Sequence, residues 1–327
     1  MFARCRIRRI PRMLDILLIT VPIYVLMGLG YVAGRSGMLA ASEMRALGKF
    51  VVNFALPALL FRALSQKPIR EIFDGRYLLA YALGSLVVFA GAFALTRYAR
   101  HKDVPYSSMF AMGASFSNSG FVGYPIVLQW LGPPAGVALA LCMIVENLIM
   151  MPLALAVAES GGVHGDDWRK AARKSFAMII RNPMVISIFA GFAVALLGIP
   201  LPDWFNKSIG LLANASTAVA LFVIGGALVG LEPRGMLGEA SAVAFGKLVV
   251  HPLVVFGFVL LTAPVDAKMR AAAVAYAAAP MLSIYPILAQ KYGYERFCAA
   301  ALVGATVISI VTVSAILWAL SAVLAWV

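Results

Sequence analysis

Tyr124-Pro125-Ile126-Val127-Leu128-Gln129-Trp130-Leu131-Gly132 returns 161 positions later as Tyr285-Pro286-Ile287-Leu288-Ala289-Gln290-Lys291-Tyr292-Gly293, with five of nine residues unchanged. Both copies lie inside long apolar segments. A proline there withdraws a backbone donor and leaves carbonyls of the preceding turn without partners. Bilayer hydrocarbon accepts such a break only where protein or a water-filled cavity covers it. Interrupted spans at corresponding positions of two halves point to the binding site of a solute carrier.

The rest of the chain suits a membrane setting. It is 62% hydrophobic and 13% charged, with mean hydropathy +0.92, which excludes an ordinary soluble domain. Apolar runs of about 17 to 25 residues, enough to cross a bilayer as helix, fall at 13–34, 44–62, 77–97, 106–130, 135–157, 182–200, 208–231, 240–263, 270–290 and 297–327. The expected class is an all-α polytopic membrane protein with ten transmembrane helices. The same offset relates Pro22 to Pro183, Gly30 to Gly191, Gly37 to Gly198, Asn53 to Asn214 and Leu60-Phe61 to Leu221-Phe222 without a gap. Each half holds five spans. An odd number makes the second half enter from the opposite face, so the halves are read as inverted repeats whose broken spans 4 and 9 cross near mid-depth. The organisation expected is a basic N-terminal extension 1–12, a first five-helix repeat 13–157, a cytoplasmic loop 158–181 and a second five-helix repeat 182–327. A duplication kept for packing alone is the alternative, and prolines at both breaks speak against it.

The net charge of +13 comes from basic residues that punctuate the spans instead of forming a patch, so nucleic acid is not an expected partner. With the N-terminus outside, fourteen lysines and arginines face the cytoplasm and seven face the other side, among them Arg62, Lys67, Arg70 and Arg76. The positive-inside rule favours that orientation in an inner membrane, with both termini outside. Arg4, Arg6, Arg8, Arg9 and Arg12 pull the other way, and a start at Met13 would remove them. Cys5, Cys142 and Cys298 form no CxxC and read as small packing hydrophobes. No metal or other cofactor is expected. GxSxG, HExxH, Walker and dinucleotide-binding signatures are missing from the sequence, so no enzymatic activity is expected.

The first break carries the richest polar content, Ser117, Asn118 and Ser119, with Gly120 and Gly123 permitting unusual backbone before Tyr124 and Pro125. A half-helix starting there would aim its positive end at mid-depth, which suits an anionic group. Small polar residues also knit membrane helices together, so packing is the competing use. The second break has Ala279, Met281 and Ile284 where the first has Asn118, Gly120 and Gly123. It offers Ser283, Tyr285 and Pro286 and is expected to make fewer substrate contacts. For Asn53 and Asn214, substrate contact and helix-to-helix bonding fit equally well. Glu146, mid-way along span 5, is costly in a membrane and by default a functional candidate. Proton coupling is one use; an ion pair with Lys247 or a bond to His251 is the other. Lys247 and His251, followed by Pro252, also suit an anionic solute, although Lys247 can snorkel to the cytoplasmic face.

The stretch Ser117-Asn118-Ser119-Gly120-Phe121-Val122-Gly123-Tyr124-Pro125 resembles the auxin efflux carrier family. Met13-Leu14-Asp15 through Gly30-Tyr31, Glu146-Asn147-Leu148 with Met151-Pro152-Leu153, and Lys247 with His251-Pro252 are similar to bacterial members, within the malonate-transporter-like branch. The likeness runs from Met13 to Val327. It implies a scaffold of spans 1, 2, 6 and 7, a transport domain of the others moving as an elevator, and a homodimer. It also implies small organic anions, mono- or dicarboxylates such as malonate, as substrates. A sodium-coupled organic anion symporter of bile-acid-transporter-like fold, and a channel or membrane sensor without turnover, are the alternatives.

Overall fold

The computed structural model describes residues 13–161, 181–230, 237–262 and 266–325. The extension 1–12 with its arginines and Cys5, most of the loop 158–181, and Arg234 lie outside the described residues. No strand occurs among the described residues. Helix α1 is Met13–Arg35, α2 Ala41–Ser65 and α3 Gly75–Ala99. Helix α4, Val104–Ser115, stops at Phe116; after Ser117 and Asn118 a π-helical turn, Ser119–Gly123, feeds α5, Tyr124–Leu131. Helix α6 is Pro134–Ser160, α7 Pro183–Leu197, α8 Asp203–Ala227 and α9 Gly238–Thr262. Helix α10, Ala267–Ala278, is also cut short, and α11, Tyr285–Gln290, resumes after the irregular stretch 279–284. Helix α12 is Glu295–Ala325. Six of these, α2, α3, α6, α8, α9 and α12, are long and apolar enough to cross a bilayer. The apolar runs expected at 106–130 and 270–290 are each two shorter helices.

Local chemistry sets the starts. Asp103 accepts the N–H of Tyr106 at 2.7 Å, Asp74 that of Tyr77 at 3.0 Å, Asn182 that of Met184 at 3.0 Å and Asp266 that of Lys268 at 2.9 Å. Each is an oxygen acceptor meeting an otherwise unpaired first-turn donor. Interior prolines are handled differently. Four of the five π-helical turns among the described residues, Val51–Ala55, Ser119–Gly123, Val145–Met150 and Gly246–Val250, end two residues before a proline: Pro57, Pro125, Pro152 and Pro252. A proline lacks the donor for the carbonyl four residues back and its ring collides with it. Widening the preceding turn relieves the collision and finds other partners for the freed carbonyls, so the helix continues.

Packing is heaviest within two groups of helices, which also meet each other, α1 on α12 and α2 on α6. In one, α1 lies on α8, and α2 lies on both α7 and α8. In the other, α3 packs on α4 and α9, α4 on α6, and α12 on α9, α10 and α11. Close approach in the first group depends on glycine: a Cβ on Gly30 would stand 1.9 Å from the Phe222 carbonyl oxygen, and one on Gly191 would stand 2.9 Å from Leu64 Cβ and 3.1 Å from the Phe61 carbonyl oxygen. The second group is tied by charge at one end. Lys102 pairs with Glu239 at 2.9 Å, Lys291 pairs with Glu159, Tyr292 Oη donates to Glu159 at 2.9 Å, and Tyr294 bonds Asp103. Contacts between the groups include Tyr24 with Ser309 at 3.4 Å and Asn182 with Asn147 at 3.2 Å.

Candidate functional site

The two interruptions lie against each other. The Asn118 N–H donates to the Pro280 carbonyl at 2.7 Å, and Asn118 Nδ2 donates to Ser283 Oγ at 2.6 Å. Asn118 Oδ1 accepts the Phe121 N–H at 3.3 Å, so the side chain caps the returning half-helix while its amide bridges to the other chain segment. Gly123 permits this contact, because a Cβ there would come 2.8 Å from the Tyr276 ring in α10. The break itself is at Phe116–Asn118, seven residues before Pro125, and not at the proline. Pro286 stands in the first turn of α11, where a missing N–H removes nothing the helix would have used, whereas Pro125 lies inside the helical run that starts at Ser119 and is accommodated by its π-helical turn.

A buried polar cluster flanks the first break. Glu146 Oε1 accepts from Ser119 Oγ at 2.6 Å and from Tyr81 Oη at 2.8 Å. Tyr81 Oη also lies 3.3 Å from Ser117 Oγ, which accepts from Lys247 Nζ at 2.9 Å. The Lys247 ammonium further donates to the Ala277 carbonyl at 2.5 Å and lies 2.9 Å from His251 Nδ1. His251 Nε2 is 3.0 Å from Ser85 Oγ. Lys247, His251 and Ser117 are fully shielded from solvent, and Glu146 is 5% exposed. Acid and base are thus joined through Ser117 and Tyr81 instead of touching. A buried charge without such partners would be very costly, so the cluster is held by mutual need. Two of its members sit on π-helical turns, Glu146 on Val145–Met150 and Lys247 on Gly246–Val250.

The structure brings together Ser117, Asn118, Ser119, Glu146, Lys247, His251 and Ser283, with Gly120 beside Met143 and Leu56. Tyr124 is buried one residue before Pro125. Tyr285 is buried and donates to the Met109 carbonyl at 2.8 Å, a bond that anchors α11 on α4. Asn53 is apart: its exposed side chain donates to Lys49 O within its own helix at 2.8 Å. Asn214 is also apart from the cluster and accepts from Arg62 Nη1 at 3.3 Å. Sequence reading missed Tyr81 and Ser85. Their signal is present, since Tyr77, Tyr81 and Ser85 recur every four residues on one face of α3. Tyr77 Oη reaches the Ala138 carbonyl at 3.2 Å and Cys142 Sγ at 2.9 Å, so that stripe is the side of α3 facing α6.

Known proteins are similar to this chain in sequence. The sequence is 28% identical over 307 residues to the "Putative malonate transporter" of Rhizobium meliloti (strain 1021), covering 94% of this chain and 96% of that protein. It is 29% identical over 240 residues to "Uncharacterized transporter YfdV" of Escherichia coli (strain K12), covering 71% and 74%. The mouse "Lysosomal cholesterol signaling protein" is 28% identical over 237 residues, which are 69% of this chain and 27% of that much longer one. A family model described as membrane transport protein matches residues 16–317, nearly the whole described chain including both interruptions. The chain belongs to the membrane transport protein family, that of the auxin efflux carriers.

Proposed function

We propose that the protein is a secondary transporter of a small organic anion of the malonate type, working by alternating access. The observation that carries this reading is the junction of two interrupted helices, where Asn118 bonds both Pro280 and Ser283. Main-chain groups freed from helical pairing at such a junction are available to a solute, and the N-terminal end of a half-helix favours an anion. The whole-length likeness to a protein named for malonate supports the substrate class.

Ten crossings in two inverted repeats account for which ends meet. An alternating ten-span chain puts the connections after spans 3, 5, 7 and 9 on one face. Lys102 with Glu239, Lys291 with Glu159, and Tyr294 with Asp103 join those four connections. The connections after spans 2, 4 and 8 come together instead around a pocket that includes Lys67, Arg76, Pro134 and Asp266. The glycine contacts also exchange between the halves, Gly30 meeting Phe222 and Gly191 meeting Phe61, each pair shifted by the same 161 positions. In this reading α1, α2, α7 and α8 form the scaffold, and the charge-tied group moves against it as one elevator-like body.

Glu146 is the proposed coupling residue, joined to the junction through Ser119 and to Lys247 through Tyr81 and Ser117. The Lys247 ammonium occupies acceptors of the kind a coupling sodium ion needs, including a carbonyl at the end of α10. This favours sodium-independent transport. Counterflow in proteoliposomes tests the function: vesicles preloaded with unlabelled malonate should accumulate labelled malonate transiently above equilibrium. Absence of any overshoot with malonate, malate or lactate removes the proposal.

A further inference from the structure

Arg62 was assigned by sequence to the outer end of span 2, as a charge flanking the membrane. The structure keeps it in the last turn of α2, part-buried, and its guanidinium donates to the exposed side chain of Asn214 at 3.3 Å. Asn214 is eleven residues along the 25-residue α8, near its middle. Gly210, one turn earlier in α8, lies beside the guanidinium, where a Cβ would make ordinary contact with Arg62 Nη1 at 3.6 Å. No carboxylate among the described residues pairs with Arg62. The neighbours of Arg62 face both helix groups. Phe61 lies against Gly191 and stacks edge-on with Phe205 in the scaffold, while Ala63 abuts Gly136 in α6. Arg62 therefore stands where the two groups meet, six residues along α2 from Leu56, which lies beside Gly120 of the first interruption.

The surroundings supply a route. Gly136 is flanked by Pro134 and Val137, which line the pocket that also holds Lys67, Arg70 and Arg76. Asp74 and Asp266 line the same pocket, so three cations against two carboxylates leave its rim modestly positive on the way to Arg62.

We propose that Arg62, with Asn214 as its positioning partner, is the scaffold's anion-binding residue and selects a dicarboxylate by taking the carboxylate that the helix junction does not hold. This rests on the transport reading above. A guanidinium offers two parallel N–H donors matched to a carboxylate, which neither Asn118 nor a half-helix end provides. A monocarboxylate satisfies the junction alone and gains little from Arg62.

Uptake by purified protein in proteoliposomes, with labelled malonate and labelled lactate compared, tests this. Arg62→Gln should raise KM for malonate by about tenfold or more, the scale of one lost charge-assisted hydrogen bond, and leave KM for lactate within about twofold. Arg62→Lys, which keeps the charge and loses the fork, should fall between wild type and Arg62→Gln for malonate; it also carries the test should Arg62→Gln not fold. Equal effects on both anions, or no effect on either, overturn the assignment while the transport reading stands. Failure of the wild type to move either anion overturns the transport reading itself.

Discussion

Removing both charges of the buried cluster should harm the protein less than the more damaging of the two single removals. In Glu146→Gln the amide oxygen can still accept from Ser119 and Tyr81, now 2.6 and 2.8 Å away, but Lys247 loses the opposite charge three hydrogen bonds distant. In Lys247→Met the loss falls on Ser117, His251 and the Ala277 carbonyl, all buried, and Glu146 keeps an uncompensated charge. Breaking one side of a buried pair costs about 3–5 kcal/mol, whereas replacing both sides with groups of similar volume is often close to neutral. The two single substitutions should each destabilise by about that amount, and the double variant by less than the worse single. Polar contacts in membranes measure weaker than in water, near 0.6 kcal/mol on average, so we take about 2 kcal/mol as the smallest coupling that supports the argument. Thermal or denaturant unfolding of the four proteins in one detergent gives the cycle directly. If the single effects sum to the double within about 0.5 kcal/mol, Glu146 and Lys247 are independent and the relay through Tyr81 and Ser117 has no energetic meaning.

Two further outcomes follow from the same geometry. Malonate uptake driven by an imposed pH gradient should lose its gradient dependence in Glu146→Gln while counterflow persists, and should be unchanged when sodium is replaced by potassium; dependence on sodium would place a second cation where Lys247 now bonds Ala277. Gly123→Leu should abolish uptake with little loss of folded protein by size-exclusion profile, because its side chain enters the Tyr276 ring at the junction and not the scaffold; normal uptake would mean that the two interruptions need not touch.

Much of this was legible in one dimension. Ten apolar runs, the repeated Tyr-Pro-Ile stretch and a mid-span acid are statements about hydrocarbon thickness, missing donors and the cost of buried charge, and these act on residues one at a time. The helix starts at Asp74, Asp103, Asn182 and Asp266 are equally local. Less visible was where a proline acts. The sequence places the first break somewhere in Ser115–Pro125; a widened turn carries the chain past Pro125, and the interruption falls at Phe116–Asn118, where Asn118 has a partner to bond. Asn53 and Asn214 looked equivalent by repeat position, yet one bonds its own helix and the other meets Arg62.

Sequence alone thus decided that the chain is a bundle of membrane helices and that two of its spans cannot run straight, because length, apolarity and proline chemistry are properties of single segments. Only the tertiary structure decided that Lys247 turns inward to Ser117 and His251 instead of snorkelling, that Glu146 reaches it through Tyr81, and that Arg62 bonds Asn214. Those outcomes depend on which helices become neighbours. A buried polar group takes whatever partner packing brings within about 3 Å, and residues 166 apart, such as Ser85 and His251, carry no mark in the sequence that they will meet.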